Sequence, residues 1–464
     1  METALRFHSD PAVNFGVLTL KVPKVGDQPL TGQKVLFYND ISGSMDDPCA
    51  DGRTKIQHAV HTTKNLWNML AEKPGVTGGL YAFDDTVDTI LPPHEITTEN
   101  KAESIQKISG LMARGGTNIE LALQHANGAI SANEGLDVTV ILMTDGNATN
   151  GCKDPETLRK LVHPQAKYVF IGYGIDHSAP MLATLSKGPN ASYYFIDQIE
   201  KGGLVFGEVF NGIFSKRYAE VNLEGSEGSE GSGVEFYDFR TDTWVPRLSV
   251  GDLIGETERT FHLRHLKPPV EASISISISG RDISTGHTDQ TGQSGLITRI
   301  DAALPPADLQ KYIFRQRTQE AMFAAQKESA NLTTKAQLKG VLAEIKAYME
   351  KQLLTTDAFY ISLCDDLAIT IRTYGTEYGY MFATGRINSN GYERAYNICS
   401  LPPKGRGILR SCGISRNVRF SDALDAEEEE EEEDLNHTIG KEDVNLTRVT
   451  PSMGCAMRSA SIGY

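Results

Sequence analysis

A chain of 464 residues with 40% hydrophobic side chains can bury two or three separate cores, and 23% charged and 8% aromatic content is that of an ordinary globular protein. The formal charge of −15 comes from 45 basic and 60 acidic side chains, and eight of the carboxylates form one run at 427–434, leaving about −7 elsewhere. No block of Lys and Arg suits a nucleic-acid backbone, no stretch of about 18 apolar residues could span a membrane, and METALRFHSDPAVNF lacks the basic and apolar parts of a secretory leader, so nucleic-acid binding, membrane insertion and export are not expected.

In chain order, residues 1–32 contain a strand-like stretch at 12–22, expected to join a later β-sandwich. Residues 33–215 then alternate short apolar runs with amphipathic stretches. The runs 34–38 (KVLFY), 138–143 (VTVILM) and 168–173 (YVFIGY) suit central parallel strands buried on both faces. Between them, 54–73 places Ile56, Val60, Leu66, Trp67 and Leu70 near one helical face. Residues 99–112 do the same with Ile105, Ile108, Leu111 and Met112, and 119–130 with Leu121, Leu123 and Ile130. The segment 78–90 is expected to form a strand and an edge hairpin turning at Asp84 and Asp85. This alternation predicts an α/β fold with a doubly wound, mainly parallel sheet.

Residues 216–303 change character. Runs at 218–223, 234–239 and 260–266 are strand-like, and 272–279 (ASISISIS) is a period-2 pattern with isoleucines on one face and serines on the other. An antiparallel β-sandwich is expected, interrupted by a loop at 223–233 (LEGSEGSEGSG). Residues 304–380 predict a small helical bundle, with helices at 307–329, 334–353 and 358–374, the second opening on a capping box at Thr334. Residues 381–464 are rich in Gly, Asn, Ser and Arg and then acidic, and are expected to be a mostly disordered tail whose acidic run is solvated. Six cysteines, Cys49, Cys152, Cys364, Cys399, Cys412 and Cys455, lack zinc-type spacing, so reduced thiols in a cytoplasmic protein are the expectation.

The chemistry concentrates at the ends of the apolar runs. Asp40-Ile41-Ser42-Gly43-Ser44 follows the first, Gly115-Gly116-Thr117-Asn118 precedes a helix, and Thr144-Asp145-Gly146 follows VTVILM. In a doubly wound sheet, ligands gather outside the carboxyl ends of the strands. Asp40, Ser42, Ser44, Thr117 and Asp145 all offer hard oxygen donors of the kind Mg²⁺ or Mn²⁺ prefers. Only two of the five are carboxylates, so an ion held there keeps a position for an acidic side chain of a partner.

These residues resemble the metal-ion-dependent adhesion site of von Willebrand factor A domains, in which D-x-S-x-S, a Thr and an Asp each lie on their own loop. The resemblance covers roughly residues 33–200. D-x-S-x-S alone would arise by chance in roughly one chain in eight of this length, but its order with GGTN and TDG makes coincidence a poor account. One departure is Asn39, where the family usually ends its strand with an apolar residue. The stretch around Trp244, Leu248, Gly251 and Glu256 resembles the sandwich that follows the A domain in intracellular proteins related to plant RING-finger proteins. No Cys/His set with zinc spacing accompanies it, so ubiquitin-ligase activity is not implied.

Asp46 and Asp47 read as solvated turn residues, with a second cation site as the alternative, and Asp84 and Asp85 as turn caps. The histidines His8, His58, His61, His125 and His163 are dispersed without an H-x-x-x-H pair, and no Ser/His/Asp triad is visible. The expected function is a non-catalytic, divalent-cation-dependent protein-interaction module. The alternatives are a structural or assembly component, cellular or viral, in which the metal site is incidental, and a metal-assisted hydrolase, which would want a second carboxylate where Ser42 stands.

Overall fold

The computed structural model describes residues 1–393 apart from 26–31, 50, 132–136, 175, 197–198, 227–232, 266–274, 284–294, 301–307, 328–330 and 377. The expected acidic tail therefore lies outside the described residues. The chain opens with an antiparallel hairpin of β1 (Glu2–Phe7) and β2 (Gly16–Lys21). An α/β unit follows: β3 (Gln33–Asp40), α1 (Lys55–Leu70), β4 (Thr77–Phe83), β5 (Val87–Glu95), α2 (Lys101–Ser109), α3 (Ile119–Ser131) and β6 (Asp137–Thr144). It is completed by α4 (Pro155–Arg159), β7 (Lys167–Tyr173), α5 (Ala179–Leu185), β8 (Ala191–Ile196) and α6 (Ile199–Phe214).

The six strands lie in the order β5-β4-β3-β6-β7-β8, all parallel except the edge strand β5. Period-2 geometry explains why the runs needed no polar alternation. In β3, Val35 and Phe37 face one core with α1 and α6, while Leu36 and Tyr38 face the other with α3 and α5, and all four are fully buried. α1 is started by a capping box: Thr54 Oγ1 accepts from Gln57 N, and the Gln57 side chain accepts from Thr54 N. That orientation delivers Ile56, Ala59, Leu66 and Trp67 to the Phe37 face. Cutting Phe37 to Ala would cost about 3–5 kcal/mol, because the two-sided packing leaves little room to collapse. α2 ends at Ser109, so Met112 falls beyond the helix and is 76% exposed rather than part of its apolar face.

The sandwich comprises β9 (Lys216–Ser226), β10 (Val234–Asp238), β11 (Thr243–Val245), β12 (Arg247–Ile254), β13 (Glu258–His265), β14 (Ser275–Asp282) and β15 (Gly295–Ile300). One sheet runs β1-β2-β13-β10-β11 and the other β12-β9-β14-β15. The N-terminal hairpin is thus part of it, through β2 against β13. Ile276 and Ile278 enter the core while the serines between them are partly exposed. The expected loop at 223–233 begins too early: β9 continues to Ser226, with Glu224 opposite Ser277 of β14, because backbone pairing on both edges suits a small polar triplet. Lys216, 3% exposed, joins sandwich to α/β unit by pairing with Asp137 and Asp252, each at 2.8 Å.

The helical region contains α7 (Gln310–Lys327), α8 (Leu332–Lys351), α9 (Ala358–Thr373) and α10 (Gly379–Gly391). α8 is capped by Asn331, which accepts from Thr333 N at 2.9 Å, so the capping box expected at Thr334 does not form and Thr334 sits inside the helix. α10 also corrects the expected boundary at 380. Its Gly- and Asn-rich sequence is helical because Met381 and Phe382, with Ile369 of α9, pack against Tyr193 and Phe195 of β8. Among the described residues, no helix is long and apolar enough to cross a membrane.

Candidate metal centre

Strand order reverses at β3, which has β4 on one side and β6 on the other, so a crevice opens at the carboxyl ends of β3 and β6. Asp40 is the last residue of β3, and Asp145 directly follows β6; both are fully buried. The polar Asn39 beside them does not disturb the packing, because its amide donates to Thr63 Oγ1 of α1 at 3.0 Å.

The first loop is set by Asp40 itself. Its Oδ1 accepts from Ser42 N at 2.8 Å, and the chain then makes a 3₁₀ turn over Gly43–Asp46 that brings the Ser42 and Ser44 hydroxyls to 3.3 Å from each other. The second loop is fastened to the first where Gly43 N donates to Gly115 O at 3.0 Å. Gly115 has φ +67°, a left-handed conformation that suits glycine. The third loop meets the first through Thr144 Oγ1, which donates to Asp40 Oδ2 at 2.5 Å and accepts from Gly146 N at 2.8 Å. It meets the second through Thr149, whose Oγ1 accepts from Thr117 N at 2.7 Å and whose N donates to Thr117 O at 3.0 Å. Among the described residues the Thr117 hydroxyl enters no hydrogen bond, although the residue is only 1% exposed.

Asp40, Ser42 and Ser44 are therefore directly linked, Asp145 lies close enough to interact electrostatically with Asp40, and Thr117 is held at the seam of the second and third loops. Burial pushes the Asp40 carboxyl up to about 7, and the neighbouring Asp145 adds to the push; hydrogen bonds from Thr144 and Ser42 oppose it. Two buried carboxylates flanked by hydroxyls form a set of hard oxygen donors, which fits a hard divalent cation. Among the described residues, no group of three or more His, Cys, Asp or Glu is placed to hold a metal ion.

The surrounding acids have other tasks. Asp84 accepts from Thr86 N at 2.8 Å and from Arg114 Nε at 2.9 Å, and Asp85 accepts from Gly116 N at 3.0 Å, so the β4–β5 turn steadies the second loop. Asp46 and Asp47 are exposed. His58 pairs with Asp51 at 3.0 Å.

One residue here had no sequence signal. Lys55, at the first turn of α1, has a side chain only 1% exposed; its Nζ lies 3.3 Å from Asp145 Oδ2, 2.8 Å from Asp176 Oδ2 and 3.9 Å from Asp47 Oδ2. Burial works against its charge, but the Asp176 and Asp145 carboxylates outweigh it and hold its pKa above the ordinary lysine value. A lysine opening an amphipathic helix is ordinarily a solvated one, and nothing local marks this as internal.

A model of the von Willebrand factor type A domain matches residues 35–147. The inter-alpha-trypsin inhibitor heavy chain H4 of Bos taurus is 31% identical over 188 residues, covering 37% of this chain and 18% of its own length. The chain thus spans under a fifth of that relative. Among solved structures, a von Willebrand factor type A protein from Catenulispora acidiphila aligns with TM-score 0.57 and 17% identity, covering 75% of this chain and 85% of its own. The ArnB paralog VWA2 from Sulfolobus acidocaldarius aligns with TM-score 0.51 and 15% identity, covering 84% and 98%. At these identities the two structures speak for the fold alone. The chain contains a von Willebrand factor type A domain on a mainly parallel α/β sheet, accompanied by antiparallel sheets and helices.

Proposed function

We propose that the von Willebrand factor type A domain of this chain is a non-catalytic, divalent-cation-dependent protein-interaction module working inside the cell. Domains of this type commonly hold a divalent metal and mediate protein interactions. Asp40, Ser42, Ser44, Thr117 and Asp145 would hold Mg²⁺ or Mn²⁺, and the ion would supply a Lewis-acidic position for a carboxylate oxygen of a partner. The observation that carries this reading is the pairing of two fully buried carboxylates at the switch point of the sheet, one of them pushed up to about 7. The chain's own contribution is to fix the donors: Thr144 and Ser42 hold both oxygens of Asp40, and the Gly43–Gly115 and Thr117–Thr149 bonds lock the three loops together. A hydrolase would need a base or nucleophile beside the ion, and at the position after the strand where a second acid would serve, the chain has Ser42. Among the described residues Cys49, Cys152 and Cys364 form no disulfide, in keeping with a reducing compartment.

The test is affinity purification with wild type and Asp145→Ala, each with Mg²⁺ and with EDTA, alongside calorimetry of Mg²⁺ and Mn²⁺. Partners should be lost on chelation and in the variant alike. Absence of ion binding with an unchanged partner set would end this reading, and a stoichiometric complex insensitive to EDTA would point to an assembly role instead.

A further inference from the structure

Resting on the reading just given, we infer that Lys55 is a positioning residue that sets the ion selectivity of the site, by occupying one oxygen of Asp145 and so denying large cations a bidentate carboxylate. The two proposed carboxylate ligands are both engaged before any ion arrives. Asp40 accepts from Ser42 N on Oδ1 and from Thr144 Oγ1 on Oδ2. Asp145 accepts from Asn147 N on Oδ1 at 3.2 Å and has the Lys55 ammonium 3.3 Å from Oδ2. The ammonium cannot withdraw easily: its side chain is 1% exposed, and Asp176 grips it at 2.8 Å from the loop after β7. Its stem is confined as well, since a Cβ at Gly174 would lie 2.7 Å from Lys55 Cε.

Ca²⁺ takes six to eight oxygens and often recruits carboxylates through both of theirs, whereas Mg²⁺ is satisfied by about six single-oxygen contacts and keeps water. A carboxylate with a fixed positive charge against one oxygen offers its other oxygen alone. Such a site suits the smaller ions, Mg²⁺ and Mn²⁺, and works against Ca²⁺.

Deleting the positive charge should strengthen binding of every divalent ion, so the informative quantity is the ratio of Ca²⁺ to Mg²⁺ affinity, from which that general effect cancels. Calorimetric titration of the full chain with CaCl₂ and with MgCl₂, wild type against Lys55→Met, should show that ratio rising about tenfold, the worth of one added charged contact. Asp176→Asn is the control: it removes the exposed partner of Lys55 but leaves the ammonium on Asp145, and the ratio should stay at the wild-type value. If Lys55→Met fails to fold, as judged by its melting transition in EDTA, Lys55→Gln takes its place with the same expected direction. An unchanged ratio in the Lys55 variant, with wild type binding Mg²⁺, overturns the role of Lys55 alone; wild type that binds neither ion overturns the metal reading beneath it.

Discussion

Asp40 gives the sharpest test of the balance between stability and binding. Its carboxyl stands at about 7 in the folded protein against 3.8 as an unperturbed group, because it is buried beside Asp145. A carboxyl raised in this way binds more protons folded than unfolded between those values. The penalty for keeping it ionised is therefore full above pH 7 and fades as the pH falls toward 3.8. At pH 8 that shift amounts to about 4 kcal/mol. Asn at this position keeps an oxygen for Ser42 N but presents an amide to Thr144 Oγ1, stranding the hydroxyl proton at a cost of about 1 kcal/mol. Asp40→Asn should thus be about 3 kcal/mol more stable than wild type in EDTA at pH 8. Adding Mg²⁺ at a hundred times its dissociation constant should stabilise wild type by about 2.7 kcal/mol and the variant not at all, closing most of the gap. Urea unfolding followed by Trp67 fluorescence, in a Trp244→Phe background so that only the α/β unit reports, measures both effects. A variant less stable than wild type in EDTA would refute the claim that burial costs the Asp40 charge more than its hydrogen bonds return, and an undiminished Mg²⁺ response would refute Asp40 as a ligand.

Acid sensitivity has a separate origin in the sandwich. Burial, reinforced by Arg315, holds His262 down at about 3; Nδ1 pairs with Gln316 at 2.7 Å and Nε2 is buried without a partner. Its folded pKa lies below the unfolded value of 6.5, so the unfolded chain binds the extra proton and stability falls as the pH drops from about 6.5 toward 3. Between pH 7.5 and 5.5 this costs about 1.4 kcal/mol. His262→Gln should remove that slope in paired denaturation curves, and parallel curves would show that His262 is not the sensor. Gly251, at φ +82°, places any Cβ 2.2 Å from the Pro189 carbonyl oxygen, which belongs to the turn before β8. Gly251→Ala should therefore cost about 2 kcal/mol or more, read as a lowered melting temperature, and an unchanged value would mean that the turn yields freely.

Much of the fold class was legible because the central strands are buried on both faces and so read as unbroken apolar runs. The three oxygen-bearing loops were legible for a related reason: each is a short local motif at the end of such a run. What escaped was long-range or contrary to local preference. Lys55 acquires its role from Asp145 and Asp176, which lie 90 and 121 positions away in sequence. α10 contains Gly379, Gly385, Asn388, Asn390 and Gly391, poor helix formers outweighed by the burial of Met381, Phe382 and Ile387. The early cap at Asn331 went unseen because Thr334 offered a motif of equal local merit three residues on.

The pairing of β2 with β13 means that the α/β unit is inserted between two segments of one sandwich. Two covalent tethers enter and leave it, one ahead of β3 and one through α6 into β9. Lys216 of β9, paired with Asp137 of β6, fastens the second crossing to the α/β unit itself, so the unit is joined to the sandwich by more than its two chain crossings. The order of synthesis carries a matching demand: the opening hairpin must wait for some 240 residues of chain, as far as β13, before its edge is covered.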